Sequence, residues 1–295
     1  MKVRRSVGSR LFDAVNVTLM LALAFIVIYP FINQIAFSFN EGADAARGGI
    51  YFLPRKLTLD NYRFLFQNPD LLHSAVISIL RVIVGTTTGV LATGLLAYIT
   101  SLRFFSGRRL LRVLYVVTLY FGGGLIPTYL LIVRLGMVNT FTVYWLPPLI
   151  SAFYMLLMAA YMQNIPESLM ESARLDGCSE LRIYLQIVMP ISIPVFAAIG
   201  VYVAVFHWNS WFDNMIYNPS GKWDTLQIHL RRMLIQVEAL KEIYNQQIAR
   251  NRFRNLSPTT LKAAITIVVT VPITVVYPFL QKYFISGITL GAVKG

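Results

Sequence analysis

The sequence predicts an all-α protein, a polytopic membrane bundle of six transmembrane helices. Of its 295 residues, 56% are apolar and 13% charged, about half the charged share of a soluble domain. Several apolar runs approach the roughly 20 residues that cross a hydrocarbon core. The short alternating segments of an outer-membrane barrel are not seen.

Taken in order, residues 1–13 form a basic cytoplasmic segment, and 14–295 form a single transmembrane domain. The spans fall at about 14–38, 75–100, 110–133, 141–162, 191–212 and 261–284. The first follows MKVRRSVGSR, and its run from Val15 to Phe39 is too long for the apolar region of a signal peptide. Ala43-Asp44-Ala45 is a weak cleavage-like triplet, but an uncleaved span is the expectation. The second contains Gly85, Gly89 and Gly94, small residues that let helices pack closely. FGGGLIP at 121–127 interrupts the third, and Pro147-Pro148 sits in the fourth. Glycine and proline are tolerated in spans because neighbouring helices satisfy the freed backbone.

Orientation follows the lysines and arginines of the short loops. Lys2, Arg4, Arg5 and Arg10, then Arg103, Arg108, Arg109 and Arg112, outweigh Arg134 on the opposite side. Both termini and the loop at 164–190 are therefore expected in the cytoplasm, with external loops at 39–74 and 213–260. The net charge of +13 is explained by basic residues meeting anionic headgroups; no nucleic-acid partner is expected. One cysteine, Cys178, excludes an intrachain disulfide and a multi-cysteine metal site. His73, His207 and His229 are scattered, and no phosphate-binding loop, HExxH or GxSxG pattern occurs. The chain is expected to have no catalytic or metal residues and no cofactor of its own.

Between the fourth and fifth spans lies a polar insert, ESARLDGCSELRIYLQIVMP at 171–190. It predicts two short helices. Pro166 suits a helix start, Gly177 a left-handed end, Ser179 a second N-cap and Glu180 that helix's first turn. Leu181, Tyr184, Leu185 and Val188 make an apolar stripe, and Pro190 is expected to stop the helix. From these residues alone, an amphipathic linker on the membrane face and a docking element for a cytoplasmic partner stand equally open.

The order Glu171-Ser172-Ala173, Gly177, Ile187 and Pro190 resembles the EAA loop of the membrane subunits of binding-protein-dependent ABC importers. That pattern runs Glu-Ala-Ala, three residues, Gly, nine residues, Ile, one residue, Leu-Pro. Ser172 replaces an alanine and Met189 the leucine. FGGGLIPTYLLIVRLGMVNT at 121–140, HWNSWFD at 207–213 and QKYFISGITLGAVKG at 281–295 are similar to maltose-type carbohydrate permeases, especially the oligosaccharide subgroup. The resemblance implies a second homologous permease subunit, which favours a heterodimer. It also implies two ATPase subunits that carry ATP and magnesium, a periplasmic or extracellular solute-binding protein, and a place in the bacterial inner membrane. Glu171, Ala173, Asp176, Gly177 and Pro190 are then the residues that engage the ATPase.

At the end of the fifth span, Tyr202, His207, Trp208, Asn209, Trp211 and Asp213 gather toward one face. They read either as an interfacial aromatic belt or as a sugar path, where amides and carboxylates bond hydroxyls and rings stack on sugar faces. Tyr154, with Met155, and Arg81 complete the candidate path. Arg81 reads as snorkelling to headgroups or as lining a water-filled cavity. The basic loop at 213–260, helical in pattern from Leu226 to Asn251, either docks the solute-binding protein or attracts an acidic, alginate-like oligosaccharide. The alternatives for the whole chain are an ABC permease for amino acids or phosphate, and an ion-coupled carrier. The carrier is disfavoured because no carboxylate falls mid-span.

Overall fold

The computed structural model describes residues 7–244 and 256–292, and side chains within 8–236, except Arg10, and 256–275. The described residues are helical, with no β-strand among them; one isolated bridge pairs Asn40 with Leu57. The helices are α1 (Val7–Ser38), α2 (Gly42–Ala45), α3 (Asp60–Phe66), α4 (Pro69–Ser101), α5 (Arg108–Tyr120), α6 (Leu125–Arg134) and α7 (Ala152–Met162). They continue with α8 (Glu167–Leu175), α9 (Glu180–Ile183), α10 (Met189–Ile191), α11 (Ile193–Asn209), α12 (Phe212–Tyr217), α13 (Leu226–Tyr244) and α14 (Pro258–Ala292). A 3-10 turn covers Phe141–Tyr144, and a wide π turn, Tyr184–Val188, joins α9 to α10.

The six spans expected from hydropathy are not all single straight helices. Among the described residues, stretches of α1, α4 and α14 are long and apolar enough to cross a membrane alone. The third span is the pair α5 and α6, bent by 120° at the glycine-rich break, and Glu180–Ile191 with α11 is a second pair bent by 82°. Counting each bent pair as one span gives five. The fourth expected span, 141–162, contributes only α7. Its 11 residues rise about 16 Å, too short to span. Trp145–Ser151, with its two prolines, lies between the 3-10 turn and α7 outside any helix; prolines withhold the amides a helix would need.

Backbone contacts divide the chain into two units: residues up to Pro69 with Arg232–Val271, and Asp70–Arg231 with Pro272 onward. In the first, the stretch after α1 is held by polar bonds. Asn40 donates to the Asp44 carboxylate at 3.0 Å and accepts from the Lys56 amide at 2.9 Å. Arg55 donates to the same carboxylate at 3.0 Å. The buried Asn61 amide donates to the carbonyls of Ser38 and Asn40 at 2.9 and 3.0 Å. The Asn40 side-chain bond, followed by the Arg55 guanidinium, holds the Asp44 carboxyl below its ordinary pKa against the opposing effect of burial. The expected external loop 39–74 is thus a pinned structure with two short helices of its own.

The second unit has its main apolar core where α4, α7, α8, the π turn and α11 meet, around Tyr98, Met155, Met158, Ala173, Ile183, Tyr184 and Val188. Elsewhere on α4, Gly85 allows a close approach to α11. A Cβ on it would stand 2.3 Å from Nε2 of His207, whose ring is buried against it. The long loop 213–260 is helical through α13 as far as Tyr244. The expectation for the rest of its helix and for Arg250, Arg252 and Arg254 falls outside the described residues.

Candidate functional site

Two places in the second unit hold the residues the sequence singled out. The first is the elbow formed by α8, Gly177 and α9. Gly177 has φ +80, the left-handed region that glycine enters without the Cβ penalty. Its N–H bonds the Arg174 carbonyl at 3.0 Å, and the Cys178 N–H reaches the Ala173 carbonyl at 2.9 Å. These two bonds make a Schellman ending, so the last carbonyls of α8 are satisfied inside the turn. Ser179 stands at the N-cap of α9 in an extended conformation, but its side chain makes no capping bond. The expected cap is therefore positional only.

The elbow has an anchored side and an open side. Ala173, 7% exposed, packs into the core with Ile183 and Tyr184. Arg174 donates to Glu180 at 2.7 Å and lies over the Phe104 ring at 4.8 Å. Its bond to Glu180 holds the guanidinium still more firmly protonated than usual. Tyr98 of α4 donates to the other Glu180 oxygen at 2.5 Å, which ties the elbow to a long helix. Arg103 pairs with Glu167 at 3.3 Å. On the open side, Leu169, Glu171, Ser172, Leu175, Asp176 and Gly177 are exposed, Leu175 to 89%. The predicted apolar stripe divides: Tyr184 and Val188 are buried, while Leu181 and Leu185 face out.

Pro190 does not stop the helix. The turn continues through it to Ile191, and the bend comes at Ser192. A proline ring clashes with the carbonyl four residues back and withholds an amide. The wide π turn lies just before it, where the Met189 N–H reaches five residues back to Tyr184.

The second place surrounds Arg81. The guanidinium, expected at the headgroups or in a cavity, is fully enclosed by protein. It pairs with both oxygens of Asp213, one at 3.1 Å and one closer, and lies 4.7 Å from the centre of the Tyr144 ring. The Asn214 N–H donates to Asp213 at 2.8 Å. The Asn214 side chain donates to the Tyr144 hydroxyl at 2.8 Å and to the Trp223 carbonyl at 2.9 Å. α4, the 3-10 turn, α12 and the segment before α13 are thereby locked together. Tyr144, Asn214 and Trp223 were not singled out from the sequence; their only signal there is being polar or aromatic near span ends.

The other candidate path residues scatter around this lock. His207 is buried against Gly85, and Trp208 has a buried indole N–H with no partner among the described residues. Asn209 and Tyr202 are exposed, and Tyr202 stacks on Tyr154 with ring centres 6.2 Å apart. Trp211 carries the Arg231 guanidinium 3.7 Å above its ring. Among the described residues, no group of three or more histidine, cysteine, aspartate or glutamate side chains could hold a metal ion.

No family model matches the chain. It is 36% identical over 291 residues to the polygalacturonan/rhamnogalacturonan transport system permease protein YtcP of Bacillus subtilis (strain 168), covering 97% of this chain and 99% of that one. It is 29% identical to the arabinooligosaccharides transport system permease protein AraQ of Halalkalibacterium halodurans, covering 92% and 93%. Among solved structures, a chain of a bacterial ABC transporter involved in the import of the acidic polysaccharide alginate superposes with a TM-score of 0.88 at 26% identity, over 96% of this chain and all of that one. With an all-helical membrane fold, an EAA-like elbow and whole-length similarity of this kind, the chain belongs to the family of sugar permease subunits of ABC transporters.

Proposed function

We propose that this permease forms half of the translocation path of an ATP-driven importer for oligosaccharides rich in uronic acids. It would pair with a second, homologous permease and present the α8–α9 elbow to one of two ATPase subunits. The carrying observation is the two-sided elbow. Ala173, Arg174 and Glu180 fix one face to the core and to α4, while Glu171, Leu175, Asp176 and Gly177 stand free on the other. A short element held this way passes on a rigid-body push, whereas a loop without those ties would absorb it.

The acidic substrate is supported by what the relatives carry: polygalacturonan and rhamnogalacturonan for one, alginate for another. A solute-binding protein outside, termini and elbow in the cytoplasm, ATP and magnesium on the partner subunits, and six spans with α7 part of a broken one belong to the same reading. The exposed Asn209 and Tyr202 and the half-buried Trp211 under Arg231 are the groups that would meet sugar.

The test is uptake and ATP hydrolysis by the assembled complex in vesicles. Gly177→Asp is expected to leave hydrolysis uncoupled from uptake or to weaken assembly; wild-type uptake in that variant overturns the elbow's role. Carboxyl reduction of the oligosaccharide is expected to abolish uptake, and indifference to it removes the acidic-sugar assignment alone.

A further inference from the structure

A cleft of about 910 Å³ opens between the end of α4, the start of α5 and α8. Among its lining residues are five arginines and one carboxylate, Glu167. Three of the arginines are engaged: Arg103 with Glu167, Arg174 with Glu180, and Arg112 with the Thr100 carbonyl at 2.6 Å. Arg112 keeps a buried Nε without a partner among the described residues. Arg108 and Arg109 have no carboxylate partner among the described residues. Both stand in the first turn of α5, which holds no acidic residue and whose N-cap, Gly107, has no side chain to cap it. Positive charge at a helix N-terminus opposes the helix dipole. Arginines gathered there with uncapped amides make a site that an anion would complete.

What lies beside the cleft identifies the anion's carrier. Val113 lines the cleft, and Leu110, Leu114 and Val117 continue an apolar face around α5 from it; all four are exposed, from 45% to 64%. They belong to the bent pair α5–α6, a candidate membrane span. We infer that the cleft is a binding site for an anionic diacyl phospholipid, of the phosphatidylglycerol kind. The phosphate sits among Arg108, Arg109 and Arg112, and an acyl chain lies along the Leu110–Val117 row. A soluble phosphate would leave that row uncovered, and an acidic segment of a soluble partner could not follow it into the bilayer. Arg103 and Arg174 connect the site to α8 through Glu167 and Glu180, so a bound headgroup would sit beside the elbow. The inference requires the chain to be in a bilayer and is independent of the sugar carried.

The test is lipid retention by the assembled, solubilised transporter, read by native mass spectrometry after exposure to equal dioleoyl-phosphatidylglycerol and dioleoyl-phosphatidylcholine. Wild type is expected to retain phosphatidylglycerol selectively. In R108Q/R109Q that retention falls roughly 10–30-fold, at a contribution near the surface of about 1 kcal/mol per basic residue, while phosphatidylcholine is unchanged. Arg109→Gln and Leu110→Gln, each at an exposed position, are expected to give partial losses and cover the case in which the double variant folds poorly. Equal retention of the two lipids by wild type, or unchanged phosphatidylglycerol in all three variants, overturns the inference. So does loss of the ATPase subunits from R108Q/R109Q with lipid retained, which would assign the cleft to a protein partner.

Discussion

Replacing Asp213 with asparagine should be far more damaging than replacing its partner Arg81, and the structure sets the asymmetry. The Arg81 side chain is 0% exposed and the Asp213 side chain 25%. Asp213→Asn leaves a guanidinium sealed in protein against a neutral amide, whose one oxygen can still accept a hydrogen bond but cannot balance the charge, with the Tyr144 ring beside it. Breaking a buried pair from one side costs about 3–5 kcal/mol, because the survivor's charge stays uncompensated. Arg81→Met leaves instead a carboxylate that reaches solvent and keeps the Asn214 amide bond at 2.8 Å. Its loss is about 1–2 kcal/mol. For a chain of this size 1 kcal/mol shifts the thermal midpoint by roughly 2–4 °C. The solubilised complex, heated at one fixed scan rate, should therefore unfold about 6–20 °C lower with Asp213→Asn and only about 2–8 °C lower with Arg81→Met. The double variant should recover part of the Asp213→Asn loss. If Asp213→Asn shifts the midpoint no further than Arg81→Met, the lock is not held by this pair and the reasoning fails.

Gly85→Ala places a methyl 2.3 Å from His207 Nε2 and should destabilise by about 1–3 kcal/mol through overpacking; pairing it with His207→Ala should relieve the clash, and an additive double variant would contradict the contact. At Gly177 a Cβ meets nothing within 4 Å, so Gly177→Ala should lower stability by only about 1 kcal/mol of left-handed strain, read as a small midpoint shift with normal assembly. Asp44 has its pKa lowered below the ordinary 3.8. Its share of stability is therefore present above that value and lost as pH falls through the lower, folded one. Amide protection over residues 39–58, taken against the intrinsic exchange rate at each pH, should fall below about pH 4 in wild type, while Asp44→Asn should show low protection throughout.

The membrane class and the elbow were legible because each rests on local chemistry. Apolar share and run length report a bilayer directly, and the spacing from Glu171 through Gly177 to Pro190 is fixed within one short segment. What was hidden depends on pairing across the chain. Arg81 and Asp213 are 132 positions apart, and nothing in a single sequence says that one answers the other. Tyr144 and Asn214 become informative only once the 3-10 turn and α12 lie together. Which spans are broken was hidden for a different reason. Hydropathy reports that a stretch prefers lipid and is silent on whether its helix continues, so 141–162 reads as a span although α7 occupies only half of it. Pro190 misled in the opposite sense, because the π turn before it accommodates its ring and the chain yields two residues later at Ser192.

The 82° bend at Ser192 has a mechanical meaning. Two rods joined nearly at right angles form a bell crank. Travel along the arm that ends at Ile191 arrives at α11 as sideways motion, almost perpendicular to that helix's own axis. A small thrust received at one surface would thus be redirected as a swing of α11, whose far end carries His207, Trp208 and Asn209.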